Sequence, residues 1–184
     1  IEASDVRPAV KEQVESLGAK FIDVPYETDE ERACAEGVGG YARPMPESWM
    51  LRQAQAVHDR AKQADIVITT ALIPGRKAPT LLNTGTVAQM KPGSVVIDLA
   101  AAQGGNCPLT VADQVVVENG VTIVGPTNLP AQVGADASAL YSRNLLDFMK
   151  LLFDKDGALD INLEDDIVAA CLMCRDGQVV RKNS

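Results

Sequence analysis

Apolar positions along this chain recur with two different periods. Residues 8–17 read as a helix: Pro8 suits the first helical position, Val10, Val14 and Leu17 fall on one face, and Gly18 ends it. Residues 20–24 read as a short strand. A long polar stretch follows over residues 25–46, carrying Glu27, Asp29, Glu30 and Glu31, and a connection of that length is usually functional or disordered. Residues 47–63 give the clearest helix, with Met50, Ala54, Val57 and Ala61 as a stripe at helical spacing. Ile66-Val67-Ile68 and Ser94-Val95-Val96-Ile97 are continuous and β-branched, as expected of strands buried on two faces, with a short helix between them over residues 84–90. Two further β-branched runs, residues 115–117 and 121–124, flank Asn119-Gly120, a strong hairpin signal if tertiary context lets them pair. Residues 136–153 predict a long helix. Tyr141, Leu145, Phe148 and Leu152 share one face, and Leu146, Met149 and Phe153 widen it, which predicts burial against more than one layer. The tail, residues 165–182, reads as two strands around Asp176-Gly177.

Strands alternating with helices predict an α/β fold, a Rossmann-like doubly wound parallel sheet. Composition agrees. Hydrophobic residues make up 46% of the chain and aromatics only 4%, so Ala, Val, Ile and Leu must fill the core. The formal charge of −8, with no basic stretch, argues against nucleic acid or an anionic membrane as partner. No apolar run approaches the ~18 residues of a membrane span, so no direct membrane insertion is expected. No signal peptide is visible, although a truncated start would hide one.

Cys34, Cys107, Cys171 and Cys174 offer no disulfide framework, which favours a reducing compartment. Cys171 and Cys174 match C-x-x-C, but in isolation. Buried small hydrophobes are the expected reading, and no metal site is expected. An i, i+3 pair on a strand would point to opposite faces. The one histidine, His58, lies beside the helical stripe and reads as a half-exposed helix residue rather than a base.

In parallel sheets ligands bind where the strands end, so the loops after the strands carry the candidate chemistry. Asp5 follows a short strand and precedes a helix, where dinucleotide-binding folds grip the adenosine ribose through both hydroxyls. Its charge argues for NAD over NADP: a 2′-phosphate ~4 Å away at an effective dielectric of 20 would cost about 4 kcal/mol. Arg7 works the other way, since an arginine can accommodate the extra phosphate. The alternative is that Asp5 merely caps the helix from Pro8. The glycine-rich phosphate loop normally lies about 20 residues earlier, so the fold is expected to lack its first βα unit.

Thr69-Thr70-Ala71-Leu72-Ile73-Pro74-Gly75 is apolar and suits packing on a flat ring or ribose, or else tucks under the next element. In the stretch from Asp98 to Cys107, small residues permit close backbone approach, and Asp98 is either a contact or a loop cap. Cys107 has no base in sight and is not expected to be a nucleophile. Gly37, Gly39, Gly40 and Tyr41 suggest a flexible lid or, alternatively, a disordered surface loop.

Together these stretches resemble the NAD(H)-binding domain of the proton-translocating nicotinamide nucleotide transhydrogenase, in its alpha subunit. The resemblance runs through Asp5-Val6-Arg7-Pro8, Gly39-Gly40-Tyr41-Ala42, Thr69 to Gly75, Lys91 to Ala100, Gly104-Gly105-Asn106-Cys107 and Thr127-Asn128-Leu129-Pro130. It implies a domain that holds NAD(H) and passes hydride to NADP(H) on a sister domain, coupled to proton translocation by a membrane domain. Carried over, Asp5, Val6 and Arg7 would contact the adenosine half. Gly40 and Tyr41 would lie on a mobile loop closing over the nucleotide, and Thr70, Ala71 and Leu72 would line the cofactor. No catalytic acid or base is implied, because the hydride moves between two rings held in contact. The resemblance also implies a homodimer on the cytoplasmic side of the inner membrane. It divides the chain into a partial dinucleotide-binding subdomain, residues 1–133, and a helix and tail returning to another subdomain, residues 134–184. Their apolar faces should then be exposed, and without the phosphate loop the chain alone should bind NAD weakly.

Two rivals remain open. Alanine dehydrogenases share the architecture but carry an Asp where this chain has Ala102, and amino-acid oxidation needs such a proton acceptor. A non-catalytic NAD-binding or interaction module is the other.

Overall fold

The computed structural model describes residues 1–35, 45–73 and 75–180. The chain splits into two compact units, Ile1–Thr127 and Asn128–Ser184.

The first unit begins with β1 (Glu2–Ala3), α1 (Ala9–Ser16) and β2 (Lys20–Phe21), and β1 pairs with β2 in parallel. Two helices follow, α2 (Asp29–Ala35) and α3 (Glu47–Ala61). Then come β3 (Ile66–Thr69), α4 (Thr84–Val87), β4 (Val95–Asp98), a 3-10 turn at Ala101–Gln103, β5 (Val115–Glu118) and β6 (Val121–Val124). They form a second sheet in the order β3-β4-β6-β5, parallel except for β5. The β5–β6 hairpin turns at Asn119 and Gly120, both at positive φ (52° and 79°), the geometry that makes an Asn-Gly pair a hairpin signal.

One face of this sheet is packed. Val96 and Ile123, with Val67 and Val116 beside them, meet Ala61 from α3 and Val87 and Met90 from the α4 region. Each fully buried Val, Leu or Ile contributes roughly 1.5–3 kcal/mol relative to exposure. The other face is not packed as expected: Ile66 and Ile68 are 64% and 60% exposed, and Val115 and Val117 are 65% and 64%. A continuous β-branched run therefore signals strand here without signalling two-sided burial.

A second cluster joins Val24, Ala35, Met45 and Trp49, with Tyr26 stacked on the Trp49 ring at 6.1 Å. It corrects two expectations. The acidic stretch is not all loop: Asp29, Glu30 and Glu31 occupy the first turn of α2, where carboxylates suit the helix dipole. The buried positions of α3 are Trp49, Gln53 and Ala61, with Ala56 partly buried; of the expected stripe Ala61 is buried and Val57 partly buried, while Met50 and Ala54 face outward. The Trp49 indole donates to the Val24 carbonyl at 3.3 Å, which sets the rotation of the helix. Leu17, expected inward on α1, is exposed.

Glu31 is buried in this region. Its carboxylate accepts from the Glu27 amide (2.8 Å), Ser48 Oγ (3.0 Å) and Arg52 Nη2 (2.7 Å). Burial pushes the carboxyl up, but those hydrogen bonds and the Arg52 charge outweigh it and hold the group at about 2 against the ordinary 4.5. A depressed folded pKa gives stability that is present above the unfolded value and lost as pH falls through the folded one. The urea midpoint should therefore drop between pH 4.5 and about 2. Glu31→Gln should start lower at pH 7 and converge on the wild type toward pH 2. Parallel curves for the two proteins would contradict this.

The second unit holds α5 (Leu129–Gln132), α6 (Gly134–Lys150), α7 (Asp166–Cys171), β7 (Cys174–Arg175) and β8 (Gln178–Val179). Asn128 caps α5 through the Ala131 amide, and Asp165 caps α7 through the amides of Ile167 and Val168. The long helix forms near its expected span but has no buried residue, and Leu140, Tyr141, Leu145, Leu146 and Met149 are exposed. The expected two-layer burial of α6 is thus absent. The tail is a helix followed by a small antiparallel hairpin around Asp176-Gly177, rather than two strands throughout. No helix among the described residues is long and apolar enough to cross a membrane.

Candidate functional site

Asp5 lies two residues beyond β1. It does not cap α1, whose N-cap is Pro8 with no side-chain hydrogen bond. Instead Oδ1 accepts from the Arg7 amide (2.8 Å) and Arg7 Nε (3.0 Å), and Oδ2 accepts from Arg7 Nη2 (2.8 Å). Burial raises the carboxyl, but the Arg7 hydrogen bonds and charge prevail and keep it below the usual carboxylate range. A carboxylate offers about four lone-pair sites. Three are taken by Arg7, and the Val6 amide adds a further pull on the carboxylate. Val6 is partly buried against the Trp49 cluster, which ties the Asp5 turn to α3.

Thr70, Ala71 and Leu72 leave the carboxyl end of β3. Thr70 and Leu72 are exposed, and the Ala71 amide and carbonyl are bound inward by Asn106 at 3.1 and 2.9 Å. Thr69, the last residue of β3, is buried, and its Oγ1 has no partner among the described residues. Gly40 and Tyr41 lie outside the described residues.

Asp98 ends β4 and is fully buried. Oδ1 accepts from the Ala100 amide (3.0 Å). Oδ2 accepts from the amides of Asn106 (2.7 Å) and Cys107 (3.0 Å) and from Thr110 Oγ1 (2.7 Å). Of the two readings open for Asp98, the structure gives the loop cap. Burial pushes the Cys107 thiol up; the Leu109 hydrogen bond opposes it, the Asp98 charge adds to it and the Thr110 hydrogen bonds oppose it, and the net upward shift disfavours the reactive thiolate.

His58 is half-buried, and its Nδ1 lies 2.9 Å from Thr86 Oγ1. Cys107 is buried, but Cys171 and Cys174 are exposed, which corrects their reading as buried hydrophobes. Cys171 ends α7 and Cys174 opens β7, with Leu172 between them extended (φ −72°, ψ 115°), so the pair straddles a corner. No cluster of metal-ligating side chains occurs among the described residues. A cavity of about 490 Å³, bordered by Glu2, Lys20, Asp59 and Arg60, contains none of the candidate residues. Sequence reasoning missed Asn106 as the residue holding Ala71, because the two are 35 positions apart.

The sequence profile of the family described as "Alanine dehydrogenase/PNT, C-terminal domain" matches residues 1–182. The chain belongs to this family. It is 51% identical over 181 residues to an NAD(P) transhydrogenase subunit alpha polypeptide of Rhodospirillum rubrum, covering 98% of this chain and 46% of that protein. A crystal structure of transhydrogenase from Sinorhizobium meliloti matches with a TM-score of 0.74 at 42% identity, over 97% of this chain and 45% of that one. The alanine dehydrogenase of Halomonas elongata is more distant, 33% identical over 68% of this chain and 35% of that protein. The chain spans about half the length, or less, of the curated relatives it matches. The Rossmann-like α/β class read from the sequence agrees with these relatives and with the observed sheet.

Proposed function

We propose that this chain is the NAD(H)-binding part of a proton-translocating transhydrogenase, in which hydride passes from NADH to NADP+ on a sister domain and a membrane domain couples the transfer to proton movement. The observation that carries the reading is the placement of Asp5 just beyond the carboxyl end of a parallel strand, with two Arg7 hydrogen bonds on Oδ1 and one on Oδ2. In this reading Asp5 accepts a ribose hydroxyl of NAD(H), and Arg7 holds the carboxylate ionised and aimed. Val6 fixes the turn on the Trp49 cluster. Thr70 and Leu72 present a hydroxyl and an apolar surface beyond the carboxyl end of β3, and Gly40 and Tyr41 are assigned to the same site. When bound, the nicotinamide supplies the hydride; the chain positions it and excludes water, and no side chain here is assigned a proton.

The pairing of Arg7 with Asp5 tempers the argument from charge alone. A carboxylate already matched by a guanidinium repels a 2′-phosphate less than a bare one would. Preference for NAD(H) over NADP(H) then rests on the acceptor geometry. The partners in this reading are the NADP-binding sister domain, the membrane domain and a second copy of the chain, at the cytoplasmic face of the inner membrane. The division at residue 133, with the long helix returning to another subdomain, belongs to the same proposal.

The alanine dehydrogenase reading meets an obstacle at Ala102, in the 3-10 turn after β4, where no proton acceptor stands. The test uses the protein expressed from its complete reading frame, together with its sister domain. Hydride exchange between NADH and an NADP analogue is expected, with no alanine-dependent NADH formation. The opposite pattern would overturn the proposal in favour of the dehydrogenase. Neither activity would favour a non-catalytic module.

A further inference from the structure

Asn106 is fully buried, and its polar groups are spent on holding loops together. Its amide donates to Asp98 Oδ2 at 2.7 Å. Its carbonyl accepts from the amides of Leu81 (2.8 Å) and Leu82 (3.1 Å). Its side chain pairs with Ala71 as a backbone peptide would: Oδ1 accepts from the Ala71 amide, and Nδ2 donates to the Ala71 carbonyl. The second Nδ2 hydrogen reaches the Pro79 carbonyl at 2.7 Å. Asp98, through four hydrogen bonds, fixes the loop from which Asn106 projects. Further along the same loop, the Gln103 carbonyl accepts from the Ala78 amide at 2.9 Å.

We infer that Asn106, held by Asp98, is the positioning residue of the coenzyme loop after β3. The inference rests on the proposed NAD(H) reading of that loop. Both backbone polar groups of Ala71 are engaged by Asn106, so the Ala71 amide is not available as a donor to a ligand. Recognition at this loop falls to Thr70 and Leu72 on either side. A segment rich in small residues and proline would otherwise sample many conformations, and a ligand would have to select one of them. Asn106 makes that selection in advance, which lowers the entropic cost of binding. Its effect belongs to coenzyme affinity and not to the hydride step.

The test is Asn106→Ala in the protein expressed from its complete reading frame, assayed with its sister domain. Truncation frees Ala71 and Pro79 without touching Thr70 or Leu72. The KM for NADH is expected to rise at least tenfold, with kcat at saturating NADH and KM on the NADP side unchanged. A merely structural role would lower the amount of active protein, and so kcat, at constant KM. A folded variant with unchanged KM for NADH would overturn the inference, as would a loss confined to kcat. Hydrogen exchange on the wild type decides the matter even if the variant does not fold. The Ala71 amide should be protected before NADH is added and gain nothing at saturation. Free exchange, or protection appearing only with NADH, would overturn the inference. A wild type that binds no NADH by titration would remove the proposed function, and this inference with it. A wild type that binds beside a variant that binds equally would remove the inference alone.

Discussion

Gly105→Ala is expected to cost about 4 kcal/mol of folding stability. Gly105 sits at φ +75°, and an added Cβ would lie 2.7 Å from Asp98 Oδ2 and 3.1 Å from Thr110 Cβ. The left-handed conformation costs a non-glycine residue about 1–2 kcal/mol. The collision adds more, because the atom struck accepts from Asn106, Cys107 and Thr110. Displacing it weakens at least one hydrogen bond to a charged group, each worth roughly 1.5–3 kcal/mol. Against a typical stability of about 5–15 kcal/mol, the variant should sit near the edge of folding. A urea or thermal melt reads the effect. A loss below about 1 kcal/mol would mean that Asp98 is free to move and does not organise the loop after β4.

Asp5→Asn is expected to weaken NADH binding by about 2 kcal/mol, roughly 30-fold, with little change in the melting temperature. The substitution keeps an acceptor for the Arg7 amide but removes the charge, and a hydrogen bond to a charged group is worth roughly 1.5–3 kcal/mol. The stability effect is small because the Asp5–Arg7 pair is partly exposed, and such pairs contribute about 0–1 kcal/mol. The effect on binding should exceed the effect on folding, which separates a ligand contact from a structural ion pair. Equal affinities for the two proteins would make the Asp5–Arg7 pair a surface feature only.

Local features of this fold were legible in the sequence, and long-range ones were not. The Asn119-Gly120 turn follows from the backbone preferences of two residues, and Pro8 and Gly18 bracket α1 for similarly local reasons. The rotation of α3 was a different matter. Of the stripe Met50, Ala54, Val57 and Ala61, the last is buried and Val57 partly so, but Met50 and Ala54 face outward, and Trp49 and Gln53, one position earlier at the same spacing, are buried instead. Trp49 takes the inward position because it reaches back to Val24 and Tyr26, and Gln53 is tolerated in the buried stripe. The helix α2 was hidden by its charge: three consecutive acidic residues look like a loop, yet one of them, Glu31, is buried by partners that include Ser48 and Arg52 on another helix. The β-branched strands announced themselves, but their unbroken apolar runs, where alternation would mark a half-buried strand, hid the exposed face of the sheet.

The candidate site divides along the same line. Asp5 and Arg7 are two residues apart, and their mutual clamp is a local turn that the sequence hints at. The clamp has a consequence that spacing alone could not give: it occupies most of the carboxylate's acceptor capacity and neutralises much of its charge. Thr70-Ala71-Leu72 was visible as an unusual loop. The side chain that holds its backbone lies 35 residues away in Asn106, whose small polar side chain carried no signal of its own among the glycines around it.

The most direct test of the account is a crystal structure of the protein, expressed from its complete reading frame, with NADH bound. Asp5 Oδ2 should lie about 2.5–3.0 Å from a hydroxyl of the adenosine ribose, with Arg7 still bonded to the carboxylate and the Ala71 amide still on Asn106. A coenzyme seated away from the Asp5 turn, or an Asp5 carboxylate facing only solvent beside bound NADH, would contradict it.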